Sequence, residues 1–221
     1  QVSWGVYIAN FTFMVGVAAS AVMLVIPAYI FGREDIKSFV LIGEGVAVAS
    51  VIVCILFVTA DLGHPERLWH LLPYLGRPNF PSSMLVWDVF VLFGYLVLNL
   101  SIPYYMLFNR FNGREPNPRI YWPAVMLSIA WAISIHTVTA FLFSSNVGRL
   151  FWHTSVLGPR FLASAFSSGT ALILLALQVM KRVVPLNLSQ NVVETLARIT
   201  AVSLQINLFL VGAELFHDFY F

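Results

Sequence analysis

The stretch that decides the fold is Ser38-Phe-Val-Leu-Ile-Gly-Glu-Gly-Val-Ala-Val-Ala-Ser-Val-Ile-Val-Cys-Ile-Leu-Phe-Val-Thr-Ala60, followed at once by Asp61-Leu-Gly-His-Pro-Glu-Arg67. The first part is apolar apart from Glu44 and a few small polar residues. It meets the ~20 residues a helix needs to cross ~30 Å of hydrocarbon. The second part packs two acids, a histidine and an arginine into one turn where that helix ends. Ionisable groups within hydrocarbon are costly and mark function, whereas the same groups at the water boundary can serve as anchors. Which role Asp61, His64 and Arg67 play is the main question this sequence poses.

Outward from 38–60, further apolar runs occupy 5–31, 84–108, 121–143, 160–180 and 199–219. The fold class expected is therefore an all-α integral membrane protein, a transmembrane bundle of about six helices forming a single domain over 1–221. Composition agrees. The chain is 59% hydrophobic and only 10% charged, against roughly 25% charged in soluble domains, so its natural surroundings are a lipid bilayer. Aromatics make up 15%, with Trp and Tyr often near segment ends, as interfacial belts require. The single cysteine, Cys54, cannot make an internal disulfide, and no CxxC or Cys/His cluster offers metal ligands. Neither haem nor an iron–sulfur cluster is expected in this chain, since a membrane haem needs paired axial histidines and only His136 lies clearly within a helix. A net charge of +2 gives no sign of a nucleic-acid partner.

The first run is too long, and too polar at Trp4, Tyr7 and Asn10, for a cleaved signal peptide. The chain starts without Met and stops at Phe221 directly after an apolar run, so a longer protein, incomplete here on its C-terminal side, is expected.

Orientation follows from Lys and Arg. The odd loops carry Arg33, Lys37, Arg110, Arg114, Arg119, Lys181, Arg182 and Arg198; the even loops carry Arg67, Arg77, Arg149 and Arg160. The positive-inside rule puts the odd loops in the cytoplasm and the N-terminus outside. Polar groups then gather in one outer layer: Asn10 on the first helix, Asp61, His64 and Arg67 after the second, Asp88 on the third, His136 and Thr137 on the fourth, Arg160 at the fifth. Glu214, His217 and Asp218 share one face at the end of the sixth. The middle and inner layers hold little but Glu44.

Each residue also has a plainer reading. Asp61 and Arg67 could be a helix end and an interface anchor. His136 could be a hydrogen-bonded packing residue, and Asp88 a charge favoured by a helix N-terminus. Glu44 could snorkel to the inner face. Trp87 and Trp152 read as belt residues, Arg149 and His153 as loop surface. The small-xxx-small spacings Gly16/Ser20, Gly43/Ala47 and Ser164/Ser168 let helices approach closely. What favours a site is convergence in one layer. A carboxylate, an imidazole and a guanidinium beside aromatic walls suit a lipid-soluble quinone, which needs an apolar slot and a proton partner at each oxygen.

Four motifs carry a resemblance. They are Trp4-Gly-Val-Tyr-Ile-Ala-Asn10 with Gly16-Val-Ala-Ala-Ser20; Asp61-Leu-Gly-His-Pro-Glu-Arg67; Ser82-Ser-Met-Leu-Val-Trp-Asp88 leading to Gly94-Tyr-Leu96; and Gly158-Pro-Arg-Phe-Leu-Ala-Ser-Ala165 with Gly169. In their order and spacing the chain resembles the NrfD/PsrC family of integral membrane subunits of respiratory complexes. Within it the chain is most similar to the Dsr/Hmc type of sulfur-metabolising prokaryotes, with the membrane subunits of alternative complex III as nearest competitor.

The resemblance implies a multi-pass protein of the cytoplasmic (inner) membrane. It implies quinone, specifically menaquinone, as the redox partner in the lipid, and electron exchange with a ferredoxin-like iron–sulfur subunit on the outer face. Further redox subunits, such as a multihaem cytochrome c, would complete the complex. Family members have two four-helix bundles, so six helices supply the first bundle and part of a second. Carried onto this chain, Asp61, His64 and His136 become the catalytic candidates and Asn10, Arg67, Asp88 and Arg160 the quinone-binding ones. Glu44, Glu214 and His217 are left for a proton path. On this reading Asp61→Asn impairs quinol oxidation without harming assembly. A secondary transporter and a non-catalytic membrane anchor are the alternatives. The first should show inverted repeats and broken helices; the second needs no converging acids.

Overall fold

The computed structural model describes residues 5–72, 75–146, 148 and 152–220. Trp4, Arg149 and Phe221 lie outside the described residues. Among the described residues six helices are long and apolar enough to span a membrane: α1 Val6–Ile30, α2 Glu34–Asp61, α3 Met84–Phe111, α4 Pro118–Ser144, α5 Leu157–Val183 and α6 Gln190–Tyr220. No strand occurs among the described residues.

Most helices run past the expected apolar runs by a turn or so, because polar caps and first turns extend them beyond the hydrocarbon. At the start of α4, Asn117 accepts the Arg119 N–H at 3.0 Å and Pro118 takes the first helical position, where its missing N–H costs nothing. Glu34 and Asp35 open α2, where acids suit the helix dipole. The largest extension is in α6. It begins at Gln190 rather than near 199, through a polar amphipathic stretch that hydropathy alone reads as loop. α1 is irregular in another way: it is α-helical over Val6–Ser20 and Val22–Val25, then closes with a π-helical stretch Ile26–Ile30.

Successive helices alternate in direction, so the bundle has an Asp61 end and an Arg110 end. α1 is central, 67% buried across its spanning window, and packs on α2, α4 and α5. α3 lies against α2 and α4, while α6 leans on α5 and is only 6% buried. In lipid, apolar burial does not drive helices together, so close packing must. α1 meets α5 through Gly16 against Ala165 and Ser20 against Gly169, and α2 meets α1 where Gly43 lies under Leu24. The indole of Trp131 covers Gly94 and donates to Val91 O at 2.8 Å, joining α4 to α3. Gly16/Ser20 and Gly43/Ala47 thus behave as close-approach pairs. Ser164/Ser168 instead faces a cavity.

The middle of the bundle is less bare than expected. Tyr95 donates to Ala18 O at 3.1 Å, Asn99 donates to Tyr95 O, and Thr170 meets Thr200 hydroxyl to hydroxyl at 2.8 Å. All are satisfied locally, so a hydropathy scan does not register them as charge.

Candidate functional site

A cavity of about 400 Å³ lies between α1, α4 and α5 in the half of the bundle toward the Asp61 end. Its apolar wall includes Ile8, Phe13, Phe143, Trp152 and Phe161; its polar lining is Thr12, His136, Thr139, Arg160, Ser164 and Ser168. Phe143 stands edge-on to Trp152 at 5.3 Å and to Phe161 at 5.7 Å, so the aromatic wall is braced from three segments. Trp152, read from sequence as a belt residue, is part of this wall.

The polar side is built by helical spacing. His136 and Thr139 are three residues apart on α4, on one face. Thr139 donates its hydroxyl to Asp88 Oδ1 at 2.6 Å. Asp88 is 1% exposed, and among the described residues no cation lies within ion-pairing distance of it. Its carboxyl therefore reaches the cavity only through Thr139. The His136 ring is buried, and its Nδ1 has no hydrogen-bond partner among the described residues. A buried polar atom left unpaired is costly, so such an atom calls for a ligand or a water. Across the cavity Arg160 pairs with Glu214 of α6 through Nη1 and Oε2. The second carboxylate oxygen, Glu214 Oε1, is buried without a partner among the described residues.

The structure thus brings together four sequence-expected residues: His136, Arg160, Asp88 behind Thr139, and Glu214 behind Arg160. Others lie elsewhere. Asp61, His64 and Arg67 are placed on the surface at and after the end of α2, with His64 Nδ1 and Glu66 Oε1 at 2.9 Å, and none of them lines the cavity. Asp61 ends α2, Gly63 at φ 68° turns the chain out of that helix, and the 3₁₀ turn Pro65–Leu71, with His64 at its start, then carries Arg67 along the surface. Asn10 donates to Val6 O at 2.8 Å and does not line the cavity, although its neighbours Ala9 and Thr12 do. His217 lies 3.6 Å from Asp218 at the end of α6, well exposed. Glu44 lies toward the Arg110 end.

Sequence reasoning misses Thr139, Ser164, Ser168 and Gly16 as parts of the site. A signal exists: Thr139 is three residues from His136, and Ser164 and Ser168 are four and eight from Arg160, each on the same helical face. Thr137, noted instead, donates to Ile133 O at an exposed position. Among the described residues no group of three or more His, Cys, Asp or Glu side chains is placed to hold a metal ion.

Known proteins are similar in sequence to this chain over most of its length. A Halobacterium salinarum protein named as a membrane subunit of dimethyl sulfoxide reductase is 30% identical over 190 residues, 78% of this chain and 42% of its own length. A selenate reductase subunit of Mesobacillus selenatarsenatis is 26% identical over 204 residues, 78% of this chain and 47% of its own length. The Hdr-like menaquinol oxidoreductase integral membrane subunit of Archaeoglobus fulgidus is 27% identical over 201 residues, covering 91% of this chain and 48% of its own. The chain spans about half the length of the curated relatives it matches. The family model described as polysulphide reductase, NrfD matches residues 1–221. With its six apolar helices, this chain is a multi-pass integral membrane protein of the NrfD family.

Proposed function

We propose that the cavity between α1, α4 and α5 binds the head of a quinone, and that the protein is the quinone-reactive membrane subunit of a respiratory oxidoreductase. The observation that carries this reading is the pairing of an aromatic, lipid-adjacent slot with polar groups from two sides: His136 and Thr139 on one, Arg160 on the other. A quinone head is apolar with an oxygen at each end, and this lining matches that pattern. The exposed Phe13 places one lip of the cavity at the helix surface, a route from the lipid.

In the oxidising direction a quinol gives up two electrons and two protons and leaves as quinone. One hydroxyl delivers its proton to His136. The second proton reaches Asp88 by relay: Thr139 accepts it as it passes its own along the existing hydrogen bond. Arg160, steadied by Glu214, donates to the quinone oxygen and stabilises negative charge there. The electrons pass to an iron–sulfur cluster of a ferredoxin-like subunit docked at the Asp61 end, and further redox subunits such as a multihaem cytochrome c continue the chain. Asp61, His64, Arg67 and His217 form the polar surface at that end, where protons leave and the partner docks. Menaquinone is the quinone favoured, on the strength of the Archaeoglobus relative named a menaquinol oxidoreductase. The Lys and Arg excess in the odd loops supports an Asp61 end facing outward from an inner membrane, with the N-terminus on the same side.

The deciding experiment is binding of a quinol-analogue inhibitor to the purified full-length complex, wild type beside His136→Gln, with His64→Ala as a surface control. Saturable binding lost in His136→Gln and kept in His64→Ala supports the cavity. Absence of saturable binding to the folded wild type rejects the quinone reading.

A further inference from the structure

A second polar pocket, about 240 Å³, lies at the opposite end of the bundle, between α1, α2 and α3. It is lined by Tyr29, Glu34, Lys37, Glu44, Met106 and Arg110, among others. Because α2 begins at Glu34, Glu44 lies ten residues into the helix, about 15 Å along its axis. That is nearly three turns, deeper than the single turn that snorkelling would bridge. Glu44 is 4% exposed and has no hydrogen-bond or ion-pair partner among the described residues, yet its side chain lines the pocket. A carboxyl at that depth is expensive to keep and marks function by default.

The groups around it come from four helices. Tyr29 of α1 faces it from the π-helical stretch, its hydroxyl donating to Met106 Sδ at 3.4 Å. Such stretches are frequent at functional sites. On α2 itself, Lys37 pairs with Glu34 at 3.1 Å and stands 5.9 Å above the Tyr29 ring. α3 contributes Arg110 at the rim and the buried Tyr95 within electrostatic reach, and Tyr121 of α4 stands 6.1 Å from Tyr29. Cations and one acid thus rim the mouth, while a single unpaired carboxyl forms the floor. A polar mouth that admits water above an unpaired carboxyl lets that carboxyl take up and release a proton.

We propose that Glu44 is a second proton-exchange site, in contact with the aqueous phase at the Arg110 end, on the face opposite the His136 cavity. The site rests on the quinone reading only for the use made of the proton. Its accessibility stands apart from that reading.

The test uses sealed vesicles carrying the full-length complex and a water-soluble carbodiimide with an amine nucleophile, applied from one side at a time. Glu34 and Glu66, with side chains 76% and 66% exposed at opposite ends, calibrate sidedness within the same molecule. Labelling of Glu44 from the Glu34 side, lost in Glu44→Gln, is expected. Glu34 labelled with Glu44 untouched, or Glu44 labelled from the Glu66 side, overturns the proposal. In turnover run in the quinone-reducing direction, where each quinone consumes two protons, Glu44→Gln should abolish proton uptake from the Arg110 side while quinol-analogue binding is kept. Unchanged uptake overturns the exchange role. Loss of analogue binding in the wild type rejects the quinone reading and leaves the labelling result standing.

Discussion

Thr139 donates its hydroxyl to Asp88 at 2.6 Å and at the same time lines the cavity beside His136. One side chain therefore connects a fully buried carboxyl to the space where a substrate would sit. A hydrogen bond to an acidic group contributes about 1.5–3 kcal/mol when made. Thr139→Val keeps the shape and removes the link. Quinol oxidation should fall roughly 10- to 100-fold, and Thr139→Ser, which restores the hydroxyl, should recover most of it. Equal loss in both variants would assign Thr139 a packing role.

His136 has no partner at Nδ1 among the described residues, so little of the fold depends on its imidazole hydrogen bonds. His136→Gln should leave thermal stability of the complex within about 1 kcal/mol of wild type while abolishing quinol-analogue binding. A large drop in stability would instead make His136 the packing residue of the plainer reading.

How much of this is legible in the chain differs by level. The six spans are readable because each is a long apolar run, and their ends shift where polar turns, such as residues 190–198 of α6 and 109–111 of α3, continue a helix beyond the hydrocarbon. Layering is readable too: His136, Asp88, Arg160 and Glu214 do lie toward one end. The direction of each side chain is not. Asp61, His64 and Arg67 stand out because charges after an apolar run are conspicuous, yet Asp61 ends α2 at the surface and Gly63 turns His64 and Arg67 outward. Thr139 and Ser164 are inconspicuous in sequence because small hydroxyl residues within an apolar run read as neutral. The depth of Glu44 is hidden because α2 starts at Glu34, inside what composition marks as loop.

Arg160 and Glu214 give a stability prediction. Their pair joins the Thr170–Thr200 hydrogen bond in tying α5 to α6, with Glu214 3% exposed on its side chain. Removing one partner of a buried pair leaves an uncompensated charge and costs about 3–5 kcal/mol. Arg160→Met alone should therefore destabilise the complex more than Arg160→Met combined with Glu214→Leu. Thermal unfolding in detergent reads this directly. A double variant worse than the single one would show that the two residues act separately.

The glycines of α1 and α5 separate packing from function. A methyl at Gly16 would meet Ala165 Cα at 3.5 Å and His136 Nε2 at 3.8 Å, ordinary contact distances, while projecting into the cavity. Gly16→Ala should leave folding intact and weaken quinol-analogue binding by occupying the space beside His136. A methyl at Gly169 would overlap the Ser20 side chain and crowd Gly16 O at 3.0 Å. Gly169→Ala should push α1 from α5 and cost about 1–3 kcal/mol through overpacking. Expression level, melting temperature and inhibitor affinity measured on both variants test the pair together. If Gly16→Ala binds the analogue as wild type does, the head group lies elsewhere, because no ligand filling this cavity against His136 could ignore that methyl.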